Sequence, residues 1–251
     1  MDTSNRRLSF DYGIDSTISY VISRIYNLLS ILIHCLSRRV VVNEMRVLIA
    51  CEFSGVVREA FAKRGYDAWS CDLLPSERPG KHIQDDVRDI LDDDWDLMIA
   101  HPPCTFLANS GVRWLFQDSR YMTKELRWDY LKEGANFFKE LLNAPIPHIA
   151  IENPIPHRYA VELIGRKYDQ KIQPWQFGEP YSKATCFWLN NLPPLKPTKV
   201  IPRDQIKQQV WKEPPSKERW RRRSRTYLGV AEAMAEQWGS YVKSKLSSNK
   251  K

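Results

Sequence analysis

Paired cysteines are missing from this chain. Cys35, Cys51, Cys71, Cys104 and Cys186 are odd in number, scattered, and never spaced as CxxC. That speaks against a disulfide framework or a cysteine-built zinc site, and for a reducing, cytoplasmic setting. A membrane span is missing too: the uncharged run between Arg24 and Arg38 falls short of the roughly 20 residues that a spanning helix needs. No small-residue cleavage site follows that run, so it does not read as a secretory signal. The sequence holds no internal repeat. What is present is ordinary soluble composition, 43% hydrophobic and 27% charged over 251 residues. That is enough for one sizeable α/β domain, or one domain with a small appendage. The net charge is +8, with much of the excess toward the carboxyl end, which favours an anionic partner, nucleic acid first.

Residues 1–44 differ from the rest. Apolar residues between Tyr20 and Leu36 recur with helical spacing, and we expect an N-terminal extension, helical or poorly ordered, that the chemistry does not need. The catalytic domain is expected over 45–251. Arg46–Cys51 reads as a first strand that stops at Glu52-Phe53-Ser54-Gly55, and Val56–Lys63 as a helix ended by Gly65. Tyr66–Cys71 reads as a second strand. Trp95–Ala100, Tyr130–Leu142 and Pro147–Ile151 read as strand, helix and strand. Beyond Pro154 the order loosens. Gln173–Phe177 is a candidate short strand and Thr185–Leu189 a better one. Leu192–Pro215 is an irregular proline-rich connection within a basic segment spanning 192–225, and Val230–Lys245 is a closing helix. Such alternation with short connections implies an α/β fold, a mostly parallel sheet with helices on both faces.

The stretch Trp95–Ser110, WDLMIAHPPCTFLANS, carries the most chemistry. Its apolar run empties into His101-Pro102-Pro103-Cys104, where two prolines without N–H donors force the chain out of the sheet. Cys104 falls just beyond a strand's carboxyl end, where open α/β sheets keep their ligands. There it is either a nucleophile or an inert buried thiol. Asp72 and Glu152 also follow strands, and in a parallel sheet those ends share one edge. An acid after the second strand is placed to bind ribose hydroxyls, although a turn cap uses the same residue type. Asp86 lies in an acidic stretch that reads equally well as a solvated loop.

In their order and spacing these residues resemble the DNA (cytosine-5)-methyltransferases, of the small type found in bacteria and phages, over nearly all of Met45–Gly239. Phe53, Ser54 and Gly55 resemble the family's first motif, which meets the methyl donor S-adenosylmethionine. Asp72 matches the acid after the second strand, and Asp86 the acid that holds the donor's adenine. Pro102-Pro103-Cys104 matches the proline-proline-cysteine motif, whose cysteine is the nucleophile, with Pro102 grouped with the donor site. Glu152-Asn153-Pro154 resembles the glutamate-asparagine-valine motif, whose glutamate holds the target base. The resemblance implies a Rossmann-like methyltransferase fold and S-adenosylmethionine as cofactor, with no metal. It also implies a monomer acting on DNA, either single-stranded or a duplex with the base flipped out. Enzymes that methylate exocyclic amines place Asp or Asn before the two prolines and an aromatic after them. His101 and Cys104 stand there instead, which points to carbon methylation.

The chain also departs from the pattern. The first motif is poor in glycine, with Val56, Val57 and Arg58 after Gly55. The glutamine–arginine motif is only echoed in Pro180–Thr185, where Lys183 stands for an arginine. In Tyr227-Leu228-Gly229-Val230-Ala231, Val230 replaces the closing motif's asparagine. Only Leu192–Arg225 is available for target recognition, so sequence specificity is expected to be short or relaxed. That stretch supplies Lys217, Arg219, Arg221, Arg222, Arg223 and Arg225 for phosphate contact, with Trp211 and Trp220 able to stack on an unpaired base or to pack inward. Trp114 and Tyr121 follow the Cys104 loop, and core packing is expected for both. Two other functions stay open: a pyrimidine methyltransferase acting on RNA or a free nucleotide, suggested by the short recognition region, and a catalytically degenerate DNA-binding or anti-restriction protein, suggested by the eroded motifs.

Overall fold

Strands that are apolar at every position need cover on both faces. The computed structural model, which describes residues 44–208, 214 and 216–248, provides it. The elements run β1 (Arg46–Ala50), α1 (Val56–Ala62), β2 (Asp67–Cys71), β3 (His82–Ile83), β4 (Leu97–Ala100), α2 (Lys124–Leu142) and β5 (His148–Pro154). Then follow α3 (Arg158–Ile164), β6 (Gln170–Ile172), β7 (Thr185–Asn190), α4 (Arg219–Ser224) and α5 (Leu228–Ser248). By contacts the chain divides into Met1–Glu44 and Met45–Lys251, and the fold described is that of the second unit. The expected N-terminal helix lies outside the described residues, as do Cys35 and Trp211.

All seven strands join one sheet in the order β3-β2-β1-β4-β5-β7-β6. Strands β1 to β5 are parallel, whereas β7 runs antiparallel to both β5 and β6. Successive side chains of a strand alternate between faces, so each central strand feeds two cores. Val47, Ile49, Leu97 and Ile99 pack with Phe61 of α1 and Met234 and Trp238 of α5. Leu48, Met98 and Ile149 pack on the other face with Leu131 and Phe138 of α2 and Ile164 of α3. The result is the Rossmann-like α/β fold expected. Among the described residues no helix is long and apolar enough to cross a membrane.

Three local expectations are corrected. Gln173–Phe177 is not a strand: Pro174 starts a 3-10 turn whose ends are held by reciprocal bonds between Gln173 and Gln176, and the strand is β6, just before it. Helix α2 begins at Lys124, six residues ahead of Tyr130, because Thr123 caps it by accepting from Leu126 N–H at 3.3 Å. Its first turn is exposed and so has no apolar periodicity to read. Strand β5 runs on to Pro154, since Glu152, Asn153 and Pro154 pair with Phe187, Cys186 and Thr185 of β7. Glu152 therefore sits within a strand, not after one. The arginine-rich run is helical over Arg219–Ser224. Gly229, in the closing motif, is required by close approach: a Cβ there would stand 1.9 Å from the Phe177 carbonyl oxygen.

Candidate active site

The register of the parallel strands sets the site. Ala50 pairs with Cys71 and Ala100, and Ala100 with Ile151. The next residues along, Cys51, Asp72, His101 and Glu152, therefore stand in one row at the carboxyl edge. Strand order reverses between β1 and β4, and that crevice is where such sheets take ligands.

Cys104 is carried on the loop after β4. Its carbonyl accepts from the N–H groups of Leu107 and Ala108 at 3.1 and 2.9 Å, which winds the loop into a turn. The end of β5 and the chain after it pin that turn. Asn153 Nδ2 donates to the Pro102 carbonyl at 3.1 Å, Asn109 N–H to the Ile155 carbonyl at 2.8 Å, and His157 Nε2 to the Phe106 carbonyl at 2.8 Å. His157 Nδ1 accepts from Ala160 N–H at 3.0 Å and so caps α3. The proton must then be on Nε2, and burial lowers the imidazole's pKa, which keeps the ring neutral. Pro102 is thus buried structure whose carbonyl is already taken.

Glu152 acts on Cys104. Burial pushes the Glu152 carboxyl up, but the hydrogen bond from His101, the charge of Lys183 and the Thr185 hydroxyl outweigh it and hold the carboxyl below its usual range. His101 Nδ1 lies 3.4 Å from Glu152 Oε2. The Cys104 thiol is raised by burial and by the charge of Glu152, while Lys183 and Arg223 pull it down. At rest the pair is a thiol beside a carboxylate. The other described cysteines are poorer nucleophiles. Burial pushes Cys71 and Cys186 up to about 11 and Cys51 higher still, with Asp72 adding to it.

The donor-side residues are placed unequally. Phe53 is buried, with Trp220 of α4 tilted against it at 5.5 Å between ring centroids. Ser54 is turned inward: its hydroxyl donates to Glu52 Oε1 at 3.1 Å. Gly55 caps α1 with φ 69°, a conformation that favours glycine. Asp72 faces the edge, its carboxyl raised by burial and partly offset by the Leu74 N–H and His82. Asp86 is occupied, since Oδ1 accepts from Arg88 N–H at 3.0 Å and Oδ2 from its guanidinium at 3.1 Å.

Glu52, absent from the motif residues read in the sequence, is central. Its buried carboxylate accepts from the N–H groups of Val57 and Arg58 at 2.7 and 3.2 Å. It closes the helix terminus where a dinucleotide's pyrophosphate binds in related folds. An acid shortly before a helix start is the signal that could have found it.

Beside these acidic residues the charge reverses. Lys183, Arg222, Arg223 and Arg225, together with Arg78, line a cavity of about 330 Å³. Arg221 instead turns to Glu77 and Glu218, at 3.1 and 3.2 Å, and Arg219 does not line the cavity. Trp220 is 51% exposed even though it covers Phe53, so it packs on the site and not in a core. Tyr121 is not core either: it is 87% exposed, with Arg120 over its ring at 5.7 Å. Trp114 is half-buried beneath Arg113 at 4.4 Å.

The strand order, the crevice between β1 and β4 and the antiparallel β7 define a Rossmann-like α/β fold of the methyltransferase type. No family model and no curated protein matches the chain in sequence. Among solved structures it is similar to a candidate DNA modification methyltransferase encoded within an E. coli prophage, at 15% identity and TM-score 0.39, over 63% of this chain and 52% of that one. It is also similar to the Entamoeba histolytica methyltransferase EhMeth, at 16% identity and TM-score 0.38, over 66% of this chain and 58% of that one. The matched region spans little more than half of either protein.

Proposed function

We propose that the chain transfers a methyl group from S-adenosylmethionine to carbon 5 of cytosine in DNA, through a transient covalent bond to Cys104. The observation that carries this reading is the Cys104 thiol under the charge of the Glu152 carboxylate, at a sheet edge with an acidic half, Glu52 and Asp72, and a cluster of cations beside it. A sulfonium donor is cationic, and Glu52 and Asp72 form the half that favours it. Because Glu52 fills the α1 terminus, that half does not suit a cofactor bound by its phosphates. Phe53 supplies aromatic surface for the adenine and Asp72 an acceptor for the ribose. Asp86 meets the donor only after its ion pair with Arg88 opens. When bound, the donor supplies an electrophilic methyl group.

The protein's own groups make carbon 5 able to take it. In cytosine that carbon is a weak nucleophile. Attack by the Cys104 sulfur on carbon 6 forms a C–S bond and leaves an enamine whose carbon 5 would displace the donor's sulfur from the methyl group, the sulfonium leaving as a neutral thioether. The thiol must first lose its proton, and the ionised carboxylate of Glu152 receives it. Protonated Glu152 then serves ring N3, offsetting the charge that builds there. After transfer, water in the site takes the carbon 5 proton, the C–S electrons return to sulfur, and the ring regains its double bond. His101 and Lys183 keep Glu152 ionised until Cys104 needs it. An enzyme of exocyclic amines has no use for this pair.

The test is incubation with labelled S-adenosylmethionine and, separately, duplex DNA, single-stranded DNA, RNA and dCMP. Label at cytosine carbon 5 in DNA is expected. Label on an exocyclic amine, or only on RNA or dCMP, sinks the reading. A pH profile tests the roles. The reactive form has Glu152 ionised and Cys104 protonated. So kcat/KM falls on the acid side only below Glu152's usual 4.5, and on the alkaline side only above Cys104's usual 9.0. Lys183→Gln removes a cation that lowers both groups, so both limbs should move to higher pH. An acid limb that stays put removes Lys183 from the site.

A further inference from the structure

We propose that the cavity where α1, the start of β7 and the segment from α4 to α5 meet is a phosphate seat for the nucleotide whose base meets Cys104. The inference deepens the methylation reading and rests on it. Arg78, Lys183, Arg222, Arg223 and Arg225 line this space of about 330 Å³, and among the described residues no acidic side chain does. Arg78 and Arg225 are also paired behind the wall with Glu59 and Glu77, and an anion between the lining cations offsets the repulsion that remains among them. Arg223 Nε is buried with no hydrogen-bond partner, a donor that a phosphate oxygen would satisfy. Tyr181 and Tyr227, stacked at 5.3 Å with an interplanar angle of 23°, form part of the wall.

Two cations of this lining, Lys183 and Arg223, also act on Cys104. Lys183 lies two residues before Thr185, whose hydroxyl donates to the Lys183 carbonyl at 3.2 Å and which pairs with Pro154 at the end of the strand that carries Glu152, so this wall of the cavity adjoins the Cys104–Glu152 site. The methyl donor is the wrong occupant. Its amino-acid end is a zwitterion attached to a sulfonium, so it carries net positive charge and is disfavoured by a lining that stays cationic after Arg78 and Arg225 pair with Glu59 and Glu77. A nucleotide phosphate carries no such cation.

The experiment is a binding titration on the full chain carrying Cys104→Ser, so that no methyl transfer intervenes, with dCMP, deoxycytidine and a short single-stranded deoxyoligonucleotide holding one cytosine. dCMP should bind at least about tenfold more tightly than deoxycytidine, equivalent to about 1.4 kcal/mol. Adding Arg223→Gln should remove that advantage and leave deoxycytidine unchanged. Arg223→Lys, which keeps the charge but loses the fork, should restore part of it, which separates charge loss from misfolding. Lys132→Gln, which takes the same charge from an exposed position on α2 outside the cavity, should change dCMP affinity less than about twofold.

A loss with Arg223→Gln confined to dCMP identifies a free monoester as the occupant, and a loss with the oligonucleotide identifies the diester of a strand. Either supports the seat. Equal binding of dCMP and deoxycytidine, equal losses with Arg223→Gln and Lys132→Gln, or loss of S-adenosylmethionine binding in Arg223→Gln overturns it. Failure of the methylation reading looks different: phosphate discrimination stays intact while the protein with Cys104 restored labels no cytosine.

Discussion

Cys104→Ser is expected to lower methyl transfer to cytosine by at least about 10⁴-fold, with binding of S-adenosylmethionine and of DNA retained. The reason is the acidity gap between thiol and hydroxyl. Glu152 can draw a proton from a raised thiol, since Lys183 and Arg223 already pull that thiol back, but it cannot ionise an alcohol. Without a sulfur adduct at carbon 6, carbon 5 never gains enamine character. The readout is label on cytosine alongside a trapping assay with DNA containing 5-fluorocytosine. That base accepts the sulfur and the methyl group but has no carbon 5 proton to lose, so the unmodified protein should stay bound through denaturation and Cys104→Ser should not. Label that survives in Cys104→Ser removes the nucleophile role whatever else holds. The fold should be unaffected, because the pinning bonds of the loop come from Asn153, Asn109 and His157.

The Cys104 loop was legible from local rules. An apolar strand that meets two prolines must end, and the residues just past them must stand at the carboxyl edge. Convergence with Asp72 and Glu152 was legible for the same reason, since parallel strands share that edge. That Glu152 belongs to a strand was not legible, because β7 extends the pairing from outside and antiparallel pairing with a later strand has no local signature. The supports of the site were hidden in the same way. Asn153 reaches Pro102 and His157 reaches Phe106 across 51 residues of sequence. Nothing about an asparagine or a histidine announces a partner that far off. Trp220 was ambiguous by nature: an exposed tryptophan that covers Phe53 is neither core nor free platform. The division of the basic run was hidden as well. Arg221 and Arg223 are near neighbours in one short helix, yet one meets Glu77 and the other faces the cavity.

Arg58 shows how far such hidden supports reach, and Arg58→Leu is expected to destabilise the protein by about 3 kcal/mol. An arginine inside a helix usually belongs to solvent, but this side chain is 2% exposed. Its Nη1 donates to Ser70 and Ser76 hydroxyls at 2.8 and 3.1 Å, and its Nη2 to the Arg78 and Pro79 carbonyls at 2.8 and 3.0 Å. Burial lowers its pKa, with Glu52 and Glu59 acting against that, and a guanidinium keeps its charge through such a shift.

Two glycines make room for Arg58: a Cβ at Gly55 would stand 2.7 Å from Nη2, and one at Gly80 3.0 Å from Nε. Leucine removes these four hydrogen bonds from a charged donor, although buried Ser70 keeps His82 at 2.9 Å and the Arg78 carbonyl keeps the Ser76 hydroxyl at 2.8 Å. Each costs about 1–3 kcal/mol, and the total is held down where water reaches the partly exposed loop. For a unit of this size the melting temperature should fall by about 6–12 °C. Arg58→Lys should recover little of it, because one ammonium cannot span two hydroxyls and two carbonyls held by a planar fork. A fall of less than about 2 °C would show that the loop holds itself. The loop carries Glu77, which pairs with Arg221 and Arg225, and Arg78, which lines the cavity. Arg58→Leu should therefore also weaken dCMP binding well below the melting transition, an effect that a purely global loss of stability does not produce.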